Sequence, residues 1–205
     1  MISKILQRFR KHYKTPKTAL IYRSNFQLLV STILSAQCTD KRINAVTKEL
    51  FKKYKTPQDF AKINILTLEK EIYSTGFYKN KAKNIKATSK LLVEKYNSRV
   101  PSNMKDLLTL PGVARKTANV VLSSAFNKNE GVVVDTHVRR VSYRLGLTKN
   151  KDPKKIEQDL MKILSKRSWG NISFYLINHG RTLCTARNKK CKQCFLNDIC
   201  PSAEI

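Results

Sequence analysis

No apolar run in this chain approaches the roughly 20 residues needed to cross a bilayer, which excludes a membrane span. Its first residues, Met1-Ile-Ser-Lys-Ile-Leu-Gln-Arg-Phe-Arg, lack the uninterrupted apolar stretch of a signal peptide. No route to an oxidising compartment is visible, so a reduced cytoplasmic setting is expected. Acidic side chains are scarce, with 14 Asp and Glu against 41 Lys and Arg and a net charge of +27. Such a chain associates with polyanions by neutralising phosphates and releasing counterions, which makes nucleic acid the expected partner. A composition rich in Lys, Asn and Ile also follows from an AT-rich genome, so charge alone does not prove the point. Strand patterning is almost missing, since Val132-Val-Val134 is too short to found a sheet. No fixed-period repeat, low-complexity linker, flavin signature or nicotinamide signature is present.

Helical periodicity fills the space that strands leave. The 205 residues allow one large domain or two small ones with a real core. Phe26 to Gln37 is apolar on most faces and predicts a buried central helix. Asp40 is placed to cap the next helix, with Ile43, Val46, Leu50 and Phe51 on its apolar side. Pro57, Gly76, Pro101 and Pro111-Gly112 punctuate further helices. Lys79 to Tyr96 reads as a long basic amphipathic helix with Ile85, Leu91, Leu92 and Tyr96 inward. Pro153 opens another through Ile156, Leu160, Ile163 and Leu164. The fold class is all-α.

Four of the five cysteines crowd into the C-terminal segment as Cys184-x6-Cys191-x2-Cys194-x5-Cys200. In a reducing compartment four such thiolates are metal ligands rather than two disulfides. The spacing does not name the metal. Zinc knuckles usually show two close pairs, whereas only Cys191 and Cys194 are closely paired, which favours an iron–sulfur cluster. Cys38 stands apart and reads as a buried thiol.

The middle of the chain carries a second motif, Leu107-Leu-Thr-Leu-Pro-Gly-Val-Ala-Arg-Lys-Thr-Ala-Asn-Val-Val-Leu122. It reads as helix, tight turn at Pro111-Gly112, and second helix. Gly112 permits the turn and a close approach of backbone N–H groups to a ligand, and a helix start is a natural phosphate site. Gly112-x-x-x-Lys116-Thr117 is similar to the tail of a P-loop. That reading fails because Arg115 precedes the Lys, the upstream Gly is missing and no strand leads in.

These residues, together with Leu34-Ser-Ala-Gln-Cys-Thr-Asp40, Val134-Asp-Thr-His137 and the terminal Cys pattern, resemble the iron–sulfur type of the helix–hairpin–helix DNA glycosylase superfamily. The resemblance covers nearly the whole chain. It implies two lobes. One is a six-helix lobe over 18–128, with the helix–hairpin–helix at about 104–123. The other joins 1–17 to 129–205 and carries a cluster loop at 184–200. It further implies a [4Fe-4S] cluster on Cys184, Cys191, Cys194 and Cys200. The implied partner is double-stranded DNA with damaged pyrimidines or abasic sites, acted on by a monomer at a bacterial nucleoid. The implied reaction is base removal coupled to cleavage 3′ to the abasic site by β-elimination.

The resemblance assigns the nucleophile to Lys116. Taken alone, a Lys in so basic a chain is a solvated cation. A cation in the first turn of a helix is opposed by the macrodipole and by Arg115, which favours the free amine that Schiff-base chemistry needs. Asp135, before Val138, Val141 and Leu145, reads from spacing as a helix N-cap, and by resemblance as the assisting carboxylate. His137 reads as structural or DNA-adjacent, and His12 and His179 as surface or packing residues. Gln37 and Phe77 match positions that fill the gap left by an extruded nucleotide, the latter where the family commonly places an apolar wedge. Gly112 and Ala114 form the hairpin, with Ala114 where the family has a second glycine. Arg187, Lys189, Lys190 and Lys192 lie between the cysteines; of these, Arg187, Lys190 and Lys192 are expected to grip the DNA backbone. A redox protein and a non-catalytic DNA-binding module are the competing classes, and the joint presence of Lys116 and Asp135 speaks against the second.

Overall fold

The computed structural model of the chain describes residues 1–13 and 18–204. Residues 14–17, counted above with the second lobe, and residue 205 lie outside the described residues. In chain order the α-helices are α1 (Ile2–His12), α2 (Asn25–Leu34), α3 (Asp40–Lys53), α4 (Pro57–Lys62), α5 (Ile65–Ile72) and α6 (Tyr78–Lys95). They are followed by α7 (Met104–Leu107), α8 (Arg115–Phe126), α9 (Thr136–Arg144), α10 (Pro153–Ile163) and α11 (Trp169–Thr182). No strand occurs among the described residues; Val132 to Val134 is irregular, and a single bridge joins Cys184 to Lys189. The chain forms two compact units, Thr18–Asn127 and Met1–Lys17 with Lys128–Ile205.

In the unit Thr18–Asn127, α2 is buried along its length from Phe26 to Leu34 and forms the axis on which α3, α6 and α8 pack. Each fully buried Leu, Ile or Val there contributes about 1.5–3 kcal/mol by leaving water. Ser24 caps α2 by accepting from the Gln27 N–H at 3.2 Å. The helix stops at Leu34, so Gln37 lies beyond it in a turn with left-handed φ of 54° rather than at its end. The cause is local. The Ser35 N–H bonds Thr32 and Ser31 carbonyls, and Ser35 Oγ also donates to Thr32 O at 2.7 Å, tightening the last turn. Thr39, not Asp40, is the cap of α3, which leaves Asp40 as an acidic first-turn residue where the macrodipole favours it. A full capping box of Thr56 and Asp59, with Pro57 as first helical residue, starts α4. The two backbone N–H groups donated by Lys55 and Thr56 hold the Asp59 carboxyl below its ordinary range.

α6 is the long basic helix, with Ile85 and Leu92 buried and α4 and α5 packed against it. Leu91 and Tyr96 are half-buried at its margin. The unit closes with α8, ended by Asn127 in the left-handed conformation.

The second unit has its own core of α1, α9, α10 and α11, with Ile5, Phe9, Val138, Val141, Ile156, Leu160, Ile172 and Leu176 buried. Arg8 of α1 pairs with Asp198 and donates to Phe195 O at 2.9 Å, which ties the first helix to the cysteine segment. Asp152 caps α10 ahead of Pro153.

Candidate active site and thiol-lined cavity

The hairpin is built by two constraints on Gly112. Its φ is +77°, and a Cβ there would stand 2.9 Å from Cβ of Asn84 on α6. Any side chain would be both strained and obstructed. Thr88 Oγ1 donates to the Pro111 carbonyl at 2.7 Å, pinning the turn to α6, while Leu110 and Val113 bury themselves on either side. Ala114 is the N-cap of α8 and provides no side-chain acceptor. The first-turn N–H groups are therefore left to other acceptors, and an anion is favoured there by the macrodipole. Lys116 is the second residue of that turn and is exposed, next to exposed Arg115. Gly112, Ala114 and Lys116 thus share one short solvent-facing corner.

Asp135 belongs to the other unit. The chain reaches it through buried Val132 and Val133, and its Oδ1 accepts from the Val138 N–H at 2.8 Å, which makes it the N-cap of α9. The carboxylate is half-buried. Two residues on, His137 Nδ1 lies 3.2 Å from an Arg140 guanidinium nitrogen that also donates to Gly180 O at 2.8 Å. His137 is half-buried in a packed corner of this unit.

Gln37 and Phe77 are both exposed and both adopt left-handed backbone conformations, with φ of 54° and 49°. Phe77 is 65% exposed and so is no core aromatic. Arg187, Lys190 and Lys192 are exposed, whereas Lys189 is half-buried and pairs with Glu204.

Cys184, Cys191, Cys194 and Cys200 line one cavity, together with Arg144, His179, Lys189, Lys190 and Asn197. All are free thiols, as is half-buried Cys38 in the other unit. Three of the four, Cys184, Cys194 and Cys200, pack on the core alongside Phe195 and Ile199. Burial pushes the Cys194 and Cys200 thiols above their usual range. Donors face the sulfurs: Arg144 Nη1 lies 3.3 Å from Cys184 Sγ, and the Leu196 N–H 3.4 Å from Cys194 Sγ. His179 Nε2 lies 3.6 Å from the same Cys194 sulfur, and its Nδ1 lies 3.2 Å from the Tyr13 hydroxyl. Burial, and then the charge of His12, push His179 down to about 4. Among the described residues no three His, Cys, Asp or Glu side chains group closely enough to hold a single metal ion. The four cysteines line a common space without forming such a group.

Residues 30–166 match the model of the HhH-GPD superfamily of base excision DNA repair proteins. The chain is 50% identical over 202 residues to endonuclease III of Synechocystis sp., covering 98% of this chain and 92% of that protein. The chain belongs to the endonuclease III family. The structure of a non-covalent endonuclease III–DNA complex matches with a TM-score of 0.92 at 42% identity, covering 98% of this chain and 94% of that one. A trapped endonuclease III–DNA covalent intermediate matches with a TM-score of 0.92 at 42% identity, covering 98% and 95%. No helix among the described residues is long and apolar enough to cross a membrane.

For a member of the endonuclease III family, four side chains make contacts that the sequence reading did not assign. His179, read as surface or packing, is 2% exposed and reaches a cysteine sulfur. Arg140 and Arg144 occupy one face of α9, at a spacing of four, and both bind carbonyls of the 180–186 segment. That spacing was visible in the sequence, but its target was not. Lys81 is the fourth and carried no sequence signal at all.

Proposed function

We propose that the chain is a bifunctional base excision repair enzyme in which Lys116 is the nucleophile and Asp135 the assisting carboxylate. The substrate is double-stranded DNA with an oxidised pyrimidine or an abasic site, met by a monomer at the bacterial nucleoid. The observation that carries this reading is Lys116 itself. It is an exposed primary amine in the first turn of a helix with no side-chain cap, four residues after the Gly112 turn. A relative of the same architecture has been trapped in covalent union with DNA, which requires a nucleophile on the protein.

The chemistry then follows from an amine. Nζ attacks C1′ of the extruded nucleotide, the N-glycosidic bond breaks, and the base leaves with the bonding electrons and gains a proton. Loss of a proton from the amine and opening of the sugar give an imine. The imine acidifies the C2′ proton; its removal expels the 3′-phosphate with the C3′–O electrons, and water releases the lysine. Asp135 serves by taking up the proton from the amine and by stabilising positive charge that develops on the sugar. Backbone N–H groups of the hairpin hold a phosphate, and Arg187, Lys190 and Lys192 add contacts to the backbone. Gln37 and Phe77 fill the gap left in the duplex. Borohydride reduction tests the reading, because it converts the imine into a stable adduct. Adduct is expected on both thymine-glycol and abasic duplexes; strand cleavage without any adduct would overturn it.

The four cavity-lining thiols fit a [4Fe-4S] cluster. A tetrahedral zinc ion, with Zn–S near 2.3 Å, brings its sulfurs within about 4 Å of each other, and among the described residues no three such ligands group for a single ion. Donors to Cys184 and Cys194 are those that stabilise cluster thiolates. When bound, the cluster supplies cross-linking, anchoring the 184–200 segment to the core beneath. Protein purified anaerobically should be brown, with about four irons per chain. Cys194→Ala should lose the iron and Cys38→Ala should keep it; stoichiometric zinc without iron would rule the cluster out.

A further inference from the structure

Lys81 is in the first turn of α6 and is only 4% exposed, although Lys is among the residues least often buried. Its ammonium reaches back along the chain and donates to the Thr75 carbonyl at 2.8 Å. Thr75 is itself buried, and its hydroxyl donates to the Ile72 carbonyl at 2.8 Å at the end of α5. The next two residues are Gly76, with φ of +70°, and Phe77, with φ of +49° and an exposed ring.

The geometry points to Lys81 as a positioning residue: its buried ammonium clamps the Thr75 carbonyl and so fixes the turn that presents Phe77 to the gap left by an extruded nucleotide. This rests on the reading of Phe77 as the group that enters the gap. Three unfavourable choices meet within seven residues of chain: a buried cation, a left-handed aromatic residue and an apolar ring in water. Each costs stability, and local rules broken together mark a place where the fold serves something other than stability. A cation in the first turn of α6 is also opposed by the helix dipole. Burial pushes the ammonium below its usual range, which the nearby Cys38 thiol partly opposes. A methionine would fill the same space without these costs. What it would lack is a donor long enough to hold Thr75. The turn carries further aromatic rings: exposed Tyr73 lies 4.8 Å, ring to ring, from Tyr78, the residue that follows Phe77.

The test compares the wild type with Lys81→Met and Phe77→Ala on a duplex carrying thymine glycol opposite 2-aminopurine. Fluorescence of the 2-aminopurine reports unstacking, base release reports turnover, and borohydride trapping on an abasic duplex reports chemistry that needs no base to be extruded. Lys81→Met should lose the fluorescence rise to the same degree as Phe77→Ala, and slow base release roughly tenfold or more. Trapping on the abasic duplex should fall less than about threefold. Its Tm should be equal to or above that of the wild type, since a buried charge has gone. Lowered stability with equal losses on both substrates would mean a merely structural lysine and overturn the inference. If Phe77→Ala loses extrusion and Lys81→Met keeps it, Lys81 is not the clamp although the wedge stands. If Phe77→Ala keeps extrusion, the wedge reading and the inference both fall. Should Lys81→Met not fold, Lys81→Gln retains a polar head but is too short to reach Thr75 and must show the same selective loss.

Discussion

Lys116→Gln should abolish base release and strand cleavage together, by at least roughly 10³-fold, and leave no adduct after borohydride reduction. The side chain is exposed and its helix is anchored by Ala118, Val121 and Leu122, so Gln should change stability by less than about 0.5 kcal/mol. The hairpin turn depends on Gly112 and the Thr88 bond to Pro111, neither of which the substitution touches. Binding to abasic duplex should therefore persist, with a salt dependence close to that of the wild type. Both activities fail at once because one covalent bond serves both, since without an amine neither the displacement nor the imine is formed. Trapping at wild-type yield in this variant would show that another amine does the chemistry.

Asp135→Asn should slow base release by about 10²- to 10³-fold while leaving the protein folded and able to bind DNA. The reason it isolates charge lies in the cap. Asp135 Oδ1 accepts from the Val138 N–H, and an Asn side chain can make the same bond, being as good a cap as Asp. Asp135→Ala removes cap and charge together and should cost about 1 kcal/mol of stability besides. Activity in Asp135→Asn close to wild type would reduce this residue to its capping role. A loss in Asp135→Ala alone would say the same.

Much of the fold was legible because it rests on local signals. Helical spacing of apolar residues and the prolines Pro57 and Pro153 act over a few residues, and the structure starts α4 and α10 at those prolines as the sequence suggests. Gly112 could be read as indispensable from its place between Pro111 and the next helix, though the clash with Asn84 that forbids a side chain could not. Misreadings were of one to three residues at helix ends, as at Gln37 and Asp40, where hydroxyls compete with the ladder for backbone groups.

The sequence by itself determined the all-α class, the hairpin with Lys116 at a helix start, the capping residue Asp135 and a set of four closely spaced cysteines. Each of these is a matter of residue type and near spacing. Only the tertiary structure decided which cations lie in water and which do not. Lys81 and Lys79 are two residues apart in one basic stretch, yet one is buried under a turn and the other exposed. It likewise decided that Phe77 faces solvent, that the four cysteines line one cavity, and that His179 stands against a sulfur. Burial and distant hydrogen bonds arise from packing between elements far apart in the chain. The separation of 190 positions from Arg8 to Asp198 is spanned by no local pattern.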